Sequence, residues 1–374
     1  MVNNVNRNLQ EIISAAIMVF TLSYFIHHPT IPNKIYSDIV AFYTQRPSFA
    51  EGKIPYIEFE FEYPPLSGFL SYLCVKAGGS LTSYYNCFSG ILLIFTLALS
   101  VTAYGISRLL KRELSLIYLL LLPSMIIYLV YNYDIIFSFF ILLSLYFYYK
   151  KRYLASGMAL GFSIVTKLMG FILIPVLIRG ISREGKLAIL SAAVIIPVVV
   201  NGILALVNYD VWIRTYLYHV EWGLENSWLV NFFQDPETWD TAKAVSLLMA
   251  GYMLLRVYTL NNIDDKVIHS LIVLNVWLLT TYVYTPQMNL WVLPFYAILG
   301  RTFPLIYAYE LANALIILTW FISPNPTAAF SIPQIISTVR ALILAILTLQ
   351  LAYVAGVFKP KLEATLARYM GKAR

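Results

Sequence analysis

Asp38 stands near the start of an unusual segment, residues 36–66, YSDIVAFYTQRPSFAEGKIPYIEFEFEYPPL. It shares that segment with Glu51, Glu58, Glu60 and Glu62, so five of the chain's 19 acidic residues fall in one stretch. The chain as a whole is 60% hydrophobic and only 12% charged, which makes such a concentration of carboxylates expensive unless some are used. An aspartate at the start of a surface helix, next to a hydrophobic span, is partly dry. That is the setting for a general base acting on a hydroxyl. The plainer alternative is a first-turn aspartate favoured by the helix dipole. Glu58, Glu60 and Glu62 can accept hydrogen bonds from hydroxyl groups of a polar ligand, or form a solvated edge. Glu62, beside Tyr63-Pro64-Pro65, is the best held of the three.

Further candidates lie downstream. YNYD (131–134) puts Asn132 and Asp134 on a very short turn between two hydrophobic runs, where an unpaired carboxylate is costly. Lys167, in TKLMG (166–170), is expected to meet a phosphate at head-group level as a point charge with three donors, or to snorkel to a lipid phosphate. In RTYLYHVEWGLENSW (214–228), Arg214 and His219 are candidates for a phosphate. Glu221, Glu225, Asn226 and Trp228 form a set of the kind that binds a sugar, with an aromatic face for a pyranose. Gln287 and Asn289, in TPQMNLW (285–291), are placed to line the same chamber. Glu310 and Arg340 fall inside hydrophobic runs and are expected to be satisfied within the bundle. No P-loop, dinucleotide glycine fingerprint, His-Glu-x-x-His or nucleophile elbow occurs, and no Cys/His spacing suggests a metal site.

The elements that must position these groups are hydrophobic helices. The mean hydropathy of +0.72 marks a polytopic membrane protein. Hydrophobic spans fall near 11–28, 84–107, 113–130, 133–149, 153–166, 168–181, 187–207, 241–259, 266–283, 287–300, 304–322 and 333–357. A span needs about 20 apolar residues, so an all-α bundle of roughly 11–13 transmembrane helices is expected, with 64–78 as a further short helix. The first span closes on no small-residue cleavage site and reads as a retained helix. No repeat or long linker divides the chain, so residues 1–374 are expected to form one membrane domain. It has two sizeable external loops, about 29–83 and 208–240, and a cytoplasmic tail, about 358–374.

The net charge of +7 is a topology signal and not a nucleic-acid footprint. Arg108, Lys111 and Arg112, Lys150, Lys151 and Arg152, Arg179, Arg183 and Lys186, and Arg301 all sit in connections that one topology puts on the cytoplasmic side. The tail residues Lys359, Lys361, Arg368, Lys372 and Arg374 join them. Both termini are then cytoplasmic, and the acid-bearing loops face the other side. Cys74 and Cys87 fall on that outer side, where a bridge and two free thiols are equally compatible with the sequence. Ser37 can cap a helix over 38–46 by accepting from its free amides. Residues 56–63 alternate glutamates with Phe59, Phe61 and Tyr63, as an extended strand with two faces would. Pro64 and Pro65 set the start of the helix that follows.

Several strings together resemble one family. Ser37-Asp38-Ile39, Gly52-x-x-Pro55-Tyr56 and Phe61-Glu62-Tyr63-Pro64-Pro65 are similar to the first external loop of polytopic glycosyltransferases of the GT-C class. The closest branch is the α-mannosyltransferases that use polyprenyl-phosphate mannose. YNYD, Arg152-Tyr153 with Gly157 and Gly161, Thr166-Lys167, and Pro286-Gln287 with Leu290-Trp291 and Leu293-Pro294 extend the likeness over most of residues 36–295.

The resemblance implies transfer of a hexose, mannose first, from a polyprenyl-phosphate sugar to a glycan or lipid acceptor on the non-cytoplasmic face, with inversion. In that family the loop aspartate, here Asp38, is the base. Lys167, Arg214 and His219 are the donor-phosphate candidates by position. No cofactor is expected beyond the lipid-phosphate donor as co-substrate, and a metal is not expected to be required. Asp38 departs from the D-x-D pairs of some relatives in having no acidic neighbour two residues away. A transporter or flippase of lipid-linked sugars is the second expectation. It predicts matched repeats and broken helices, whereas this chain gathers its acids in loops.

Overall fold

A computed structural model describes residues 2–32, 34–260 and 263–357, with side chains from Leu9 onward. The expected cytoplasmic tail, with its five basic residues, lies outside the described residues. The described chain is helical, and among the described residues the only β pairing is two isolated bridges. It divides into two compact units, one of residues 1–222 with 287–300 and the other of residues 223–286 with 301–374.

The first unit contains α1 (Val2–His27), α2 (Asp38–Gln45), α3 (Pro47–Ala50), α4 (Pro65–Gly78), α5 (Leu81–Leu109), α6 (Pro123–Tyr128), α7 (Asp134–Tyr149), α8 (Tyr153–Thr166), α9 (Ile174–Ile178), α10 (Arg183–Val207) and α11 (Tyr209–Glu221). The second contributes α12 (Trp239–Tyr258) and α13 (Lys266–Thr280). After α14 (Leu293–Ile298) of the first unit come α15 (Leu305–Trp320) and α16 (Ile332–Val354) of the second. Four segments, Leu9–His27, Leu81–Leu109, Arg183–Val207 and Ile332–Val354, are long and apolar enough to cross a membrane. Five of the other expected spans coincide with shorter apolar helices, of 10–17 residues. The chain is therefore a helical membrane protein with four candidate spans. The exposed surface of α10 agrees, since Val198, Ile203 and Leu206 face outward from it as a lipid-facing helix tolerates.

Small residues decide how the first unit packs. Gly157 and Gly161 let α8 approach α10 so closely that a Cβ on Gly157 would stand 2.5 Å from the Ile189 carbonyl oxygen. This is the small-residue contact through which membrane helices gain dispersion energy. Pro65 occupies the first turn of α4, where its missing N–H and fixed φ cost nothing, and Gly79 closes that helix at φ +62°. Cys74 of α4 and Cys87 of α5 are joined as a disulfide with Cα atoms 5.4 Å apart, so the bonded state holds.

The loop between α3 and α4 differs from the extended strand expected. Tyr56 adopts φ +66°, and its N–H donates to the Phe59 carbonyl 2.9 Å away, so residues 55–59 turn tightly. The Tyr56 hydroxyl explains the turn. It donates to the Tyr63 carbonyl (2.7 Å) and accepts from Gly68 N–H (3.1 Å), tying the loop onto α4. A glutamate ladder on one face is replaced by separate fates. Glu58 bends back to accept from Ile54 N–H at 2.5 Å, Glu60 is exposed, and Glu62 turns inward.

In the second unit, Arg340 is fully buried and answers the expectation that it is satisfied in the bundle. Its guanidinium donates to Asn313 Oδ1 (2.6 Å), the Asn226 carbonyl (2.8 Å) and the Tyr284 carbonyl (2.5 Å), and lies 3.6 Å over the Tyr284 ring. Glu310 is buried in the same bundle.

Candidate active site

The start of α2 is bound to the segment before α7. Ser37 is the helix cap by position, yet its hydroxyl does not accept from a helix amide. It donates instead to the Val130 and Tyr131 carbonyls (3.2 and 3.3 Å), while Ile39 N–H also donates to Tyr131. The expected cap is thus exchanged for an anchor, since the hydroxyl donates across the fold to two backbone carbonyls instead of accepting a local bond. The effect is to place Asp38 opposite Asn132.

Asn132 is fully buried at the turn before α7. Its Nδ2 donates to Asp38 Oδ2 (2.6 Å) and meets the Tyr63 hydroxyl (2.7 Å), while its own carbonyl oxygen accepts from Tyr133 N–H. One amide therefore fixes both the aspartate and the tyrosine. Rings of Phe42, Phe61 and Tyr133 pack around Tyr63, with Tyr63 and Tyr133 centroids 5.0 Å apart. Such packing keeps the carboxylate in a low-dielectric wall.

Beside this pair lies a buried ion pair. Lys167 ends α8 and Asp134 begins α7, and Lys167 Nζ is 2.7 Å from Asp134 Oδ1. The same oxygen accepts from Trp291 Nε1 at 2.6 Å. Lys167 Nζ also stands 5.3 Å over the Tyr63 ring and 5.5 Å over the Trp291 ring, in cation–π range. Lys167 does not snorkel; it is only 8% exposed and turned toward the aspartate. Asp134 Oδ2 is buried with no hydrogen-bond partner among the described residues, so one carboxylate oxygen retains its lone pairs for a ligand or water.

The electrostatics follow from this crowding. Protein surrounds Asp38 closely, although the residue keeps some solvent access. Burial first, then the negative charge of Glu62, pushes its carboxyl up to about 7 from an ordinary 3.8. A hydrogen bond from Tyr36 and the charge of Lys167 oppose that rise. Glu62 is raised as well, by burial, against the pull of Arg46 and hydrogen bonds from Tyr218 and Arg46. A carboxyl raised this far exchanges its proton near neutral pH, the range that suits a general base.

Glu62 forms an ion pair with Arg46, whose guanidinium lies 5.5 Å over Phe42. These residues, with Gln45, Glu60, Phe61, Arg214 and Tyr218, line a pocket of about 270 Å³. His219, next on α11, sets its ring edge-on to Tyr63 with centroids 6.2 Å apart and donates to the Glu62 carbonyl.

Of the residues expected from sequence, Asp38, Glu62, Tyr63, Asn132, Asp134, Lys167 and His219 come together in one connected set. Glu60 and Arg214 sit at the pocket rim, 4.0 Å apart. Glu58 is engaged with its own turn and Glu221 is exposed at the end of α11. Gln287 and Asn289 are buried near Trp291 in sequence. Glu225, Asn226 and Trp228 belong to the second unit and serve its interior. Asn226 carries Arg340, and Trp228 donates to the Leu279 carbonyl (2.8 Å) beside a small core of Leu224, Leu229, Val230 and Ala242. Arg46 and Tyr218 are not singled out by sequence, and Trp291 enters only through the family resemblance; each lies inside a string already quoted, Arg46 eight residues after Asp38. Among the described residues, no three His, Cys, Asp or Glu side chains gather as a metal site would require.

No protein-family model matches the chain, and no curated protein matches it.

Proposed function

We propose that the chain is an integral membrane glycosyltransferase of GT-C type. It moves a hexose, mannose first, from a polyprenyl-phosphate sugar to a glycan or lipid acceptor on the non-cytoplasmic face. The observation that carries this is the Asp38–Asn132–Tyr63 cluster standing against the buried Lys167–Asp134 pair. A base near neutral pH and a desolvated cation, joined through one tyrosine, are the two charges such a transfer needs.

The acceptor hydroxyl gives its proton to the Asp38 carboxylate. Its oxygen forms a bond to the anomeric carbon from the face opposite the phosphate. The bond from that carbon to the phosphate oxygen breaks, its electron pair leaves with the polyprenyl phosphate, and the configuration inverts. Lys167 Nζ stabilises the charge gained by the leaving phosphate in a site dry enough for the attraction to count, beside a His219 ring whose N–H is taken by the Glu62 carbonyl. Asn132 holds Asp38 in line, and Glu62 and Tyr63 orient the acceptor.

The alternative, a transporter of lipid-linked sugars, draws on the buried Lys167–Asp134 pair, since intramembrane ion pairs mark substrate paths as well as catalytic sites. The deciding experiment measures transfer of labelled mannose from polyprenyl-phosphate mannose by membranes holding wild type or Asp38→Asn. Transfer by wild type, reduced about 100- to 10,000-fold in an equally abundant variant, supports the enzyme and its base. Donor-dependent transfer that survives in Asp38→Asn removes the base from Asp38. Movement of the intact lipid-linked sugar across proteoliposomes without transfer supports the transporter.

A further inference from the structure

The pocket lined by Gln45, Arg46, Glu60, Glu62, Arg214 and Tyr218 is one side chain away from Asp38, because Glu62 borders the pocket and its charge acts on Asp38. We infer that it is the subsite for the acceptor, and that it takes a single neutral, hydroxyl-rich ring, the terminal sugar of a glycan, in preference to an anion. The inference rests on the glycosyl-transfer proposal for what lies next to the pocket, and adds the chemical class of the acceptor.

Three observations favour a neutral polyol. The lining balances its charges: Arg46 is paired with Glu62, and Arg214 Nε lies 4.0 Å from Glu60 Oε2. A lining of two guanidiniums and two carboxylates offers an anion no net attraction, whereas a sugar can donate to the carboxylates and accept from the guanidinium N–H groups. Tyr218 supplies a ring for the apolar C–H face of a pyranose, and Gln45 supplies an amide that both donates and accepts. The volume of about 270 Å³ is at the small end of ligand pockets, which run from roughly 300 to 1,000 Å³ for drug-sized molecules, so it admits one ring. The same geometry moves Arg214 from the donor phosphate, where its place in the sequence set it, to the acceptor.

The test uses the full chain in lipid nanodiscs and two probes, methyl α-D-mannopyranoside and inorganic phosphate, followed by saturation-transfer NMR. Three proteins are compared: wild type, Arg214→Gln and Gln45→Trp, the last two at exposed positions where folding tolerates change. Saturable binding of the glycoside to wild type is expected. Arg214→Gln should weaken it about tenfold, as loss of a charged hydrogen bond does, and Gln45→Trp should abolish it by filling the pocket. Phosphate should neither bind nor compete. Glycoside binding unchanged in both variants, or phosphate displacing the glycoside, overturns the inference.

Mannose transfer measured on the same samples separates the two proposals. Wild type that binds the glycoside but transfers nothing from the lipid donor refutes the reaction and leaves the subsite standing. Gln45→Trp that fails to transfer to glycan yet still releases mannose to water from the donor supports the subsite. Gln45→Trp that transfers to glycan at the wild-type rate overturns it.

Discussion

The sharpest consequence of the site's electrostatics is a pH profile whose acid limb moves in opposite directions in two variants. Transfer by the proposed mechanism needs Asp38 without its proton. With its carboxyl raised to about 7, half of the sites are competent at that pH, and at pH 6 only about one in eleven. The rate should therefore fall about tenfold for each pH step further down, a limb displaced from the 3.8 of an ordinary aspartate. Two neighbours tune the position. Glu62 raises Asp38 by like-charge repulsion, so Glu62→Gln should carry the limb to lower pH. Lys167 lowers it by attraction, so Lys167→Met should carry the limb to higher pH. The assay is initial-rate transfer from polyprenyl-phosphate mannose between pH 4.5 and 8.5, each variant normalised to its own plateau so that loss of binding does not enter. A limb below pH 5 in wild type, or shifts of the same sign in both variants, refutes the assignment of the base.

Other outcomes follow from the packing. Lys167→Met alone leaves Asp134 charged and buried and should cost about 3–5 kcal/mol, whereas adding Asp134→Leu should restore most of the stability. Transfer should stay far below the wild-type rate in both, though measurable, and a double variant that regains the wild-type rate would remove Lys167 from the chemistry. Gly157→Val puts a side chain into the Ile189 carbonyl and should prevent folding or halve the yield of dispersed protein in detergent gel filtration, while Gly202→Ala, where a Cβ meets nothing, should not. Reduction of the Cys74–Cys87 bridge should lower Tm, the loop being short enough for about 3 kcal/mol in the chain-entropy account. Dithiothreitol should lower the Tm of wild type and leave that of Cys87→Ser unchanged.

How much of this was legible in the sequence depends on the range of each interaction. Local signals served well: Asp38 does begin a short helix, Pro65 does open α4, and most of the apolar runs coincide with helices, while 113–130 and 287–300 break into short turns of helix. Partner identity was not legible, because the contacts that build the site join distant positions. Asn132 reaches Asp38 across 94 residues, and Trp291 reaches Asp134 across 157. Nothing in an aspartate's neighbours along the chain says which amide it will meet. Ser37 shows the same limit at short range. Its position predicts a cap, but the carbonyls of residues 130 and 131, brought by tertiary folding, compete successfully for its hydroxyl. The alternation in 56–63 misled because one buried tyrosine, Tyr56, gains three hydrogen-bond partners by turning the chain out of the extended region.

The buried Lys167–Asp134 pair is the part of the molecule that packing explains least. Taking two charges out of water costs several kcal/mol per ion, and a pair of apolar side chains of similar volume would hold α7 against α8 as well. Further bonds normally offset that cost by satisfying the remaining lone pairs. Here Trp291 satisfies only Oδ1, and Oδ2 is left open. Lys167 is meanwhile held over Tyr63 and Trp291, by rings that attract a cation without neutralising it. A structural ion pair would close both ends. One that leaves an acceptor open on one side, and a cation against the tyrosine that touches the Asp38 amide clamp on the other, is arranged for a third charged or polar group to complete. Under the proposed transfer the leaving phosphate would meet the cation, while the open Oδ2 would accept from a hydroxyl or a water.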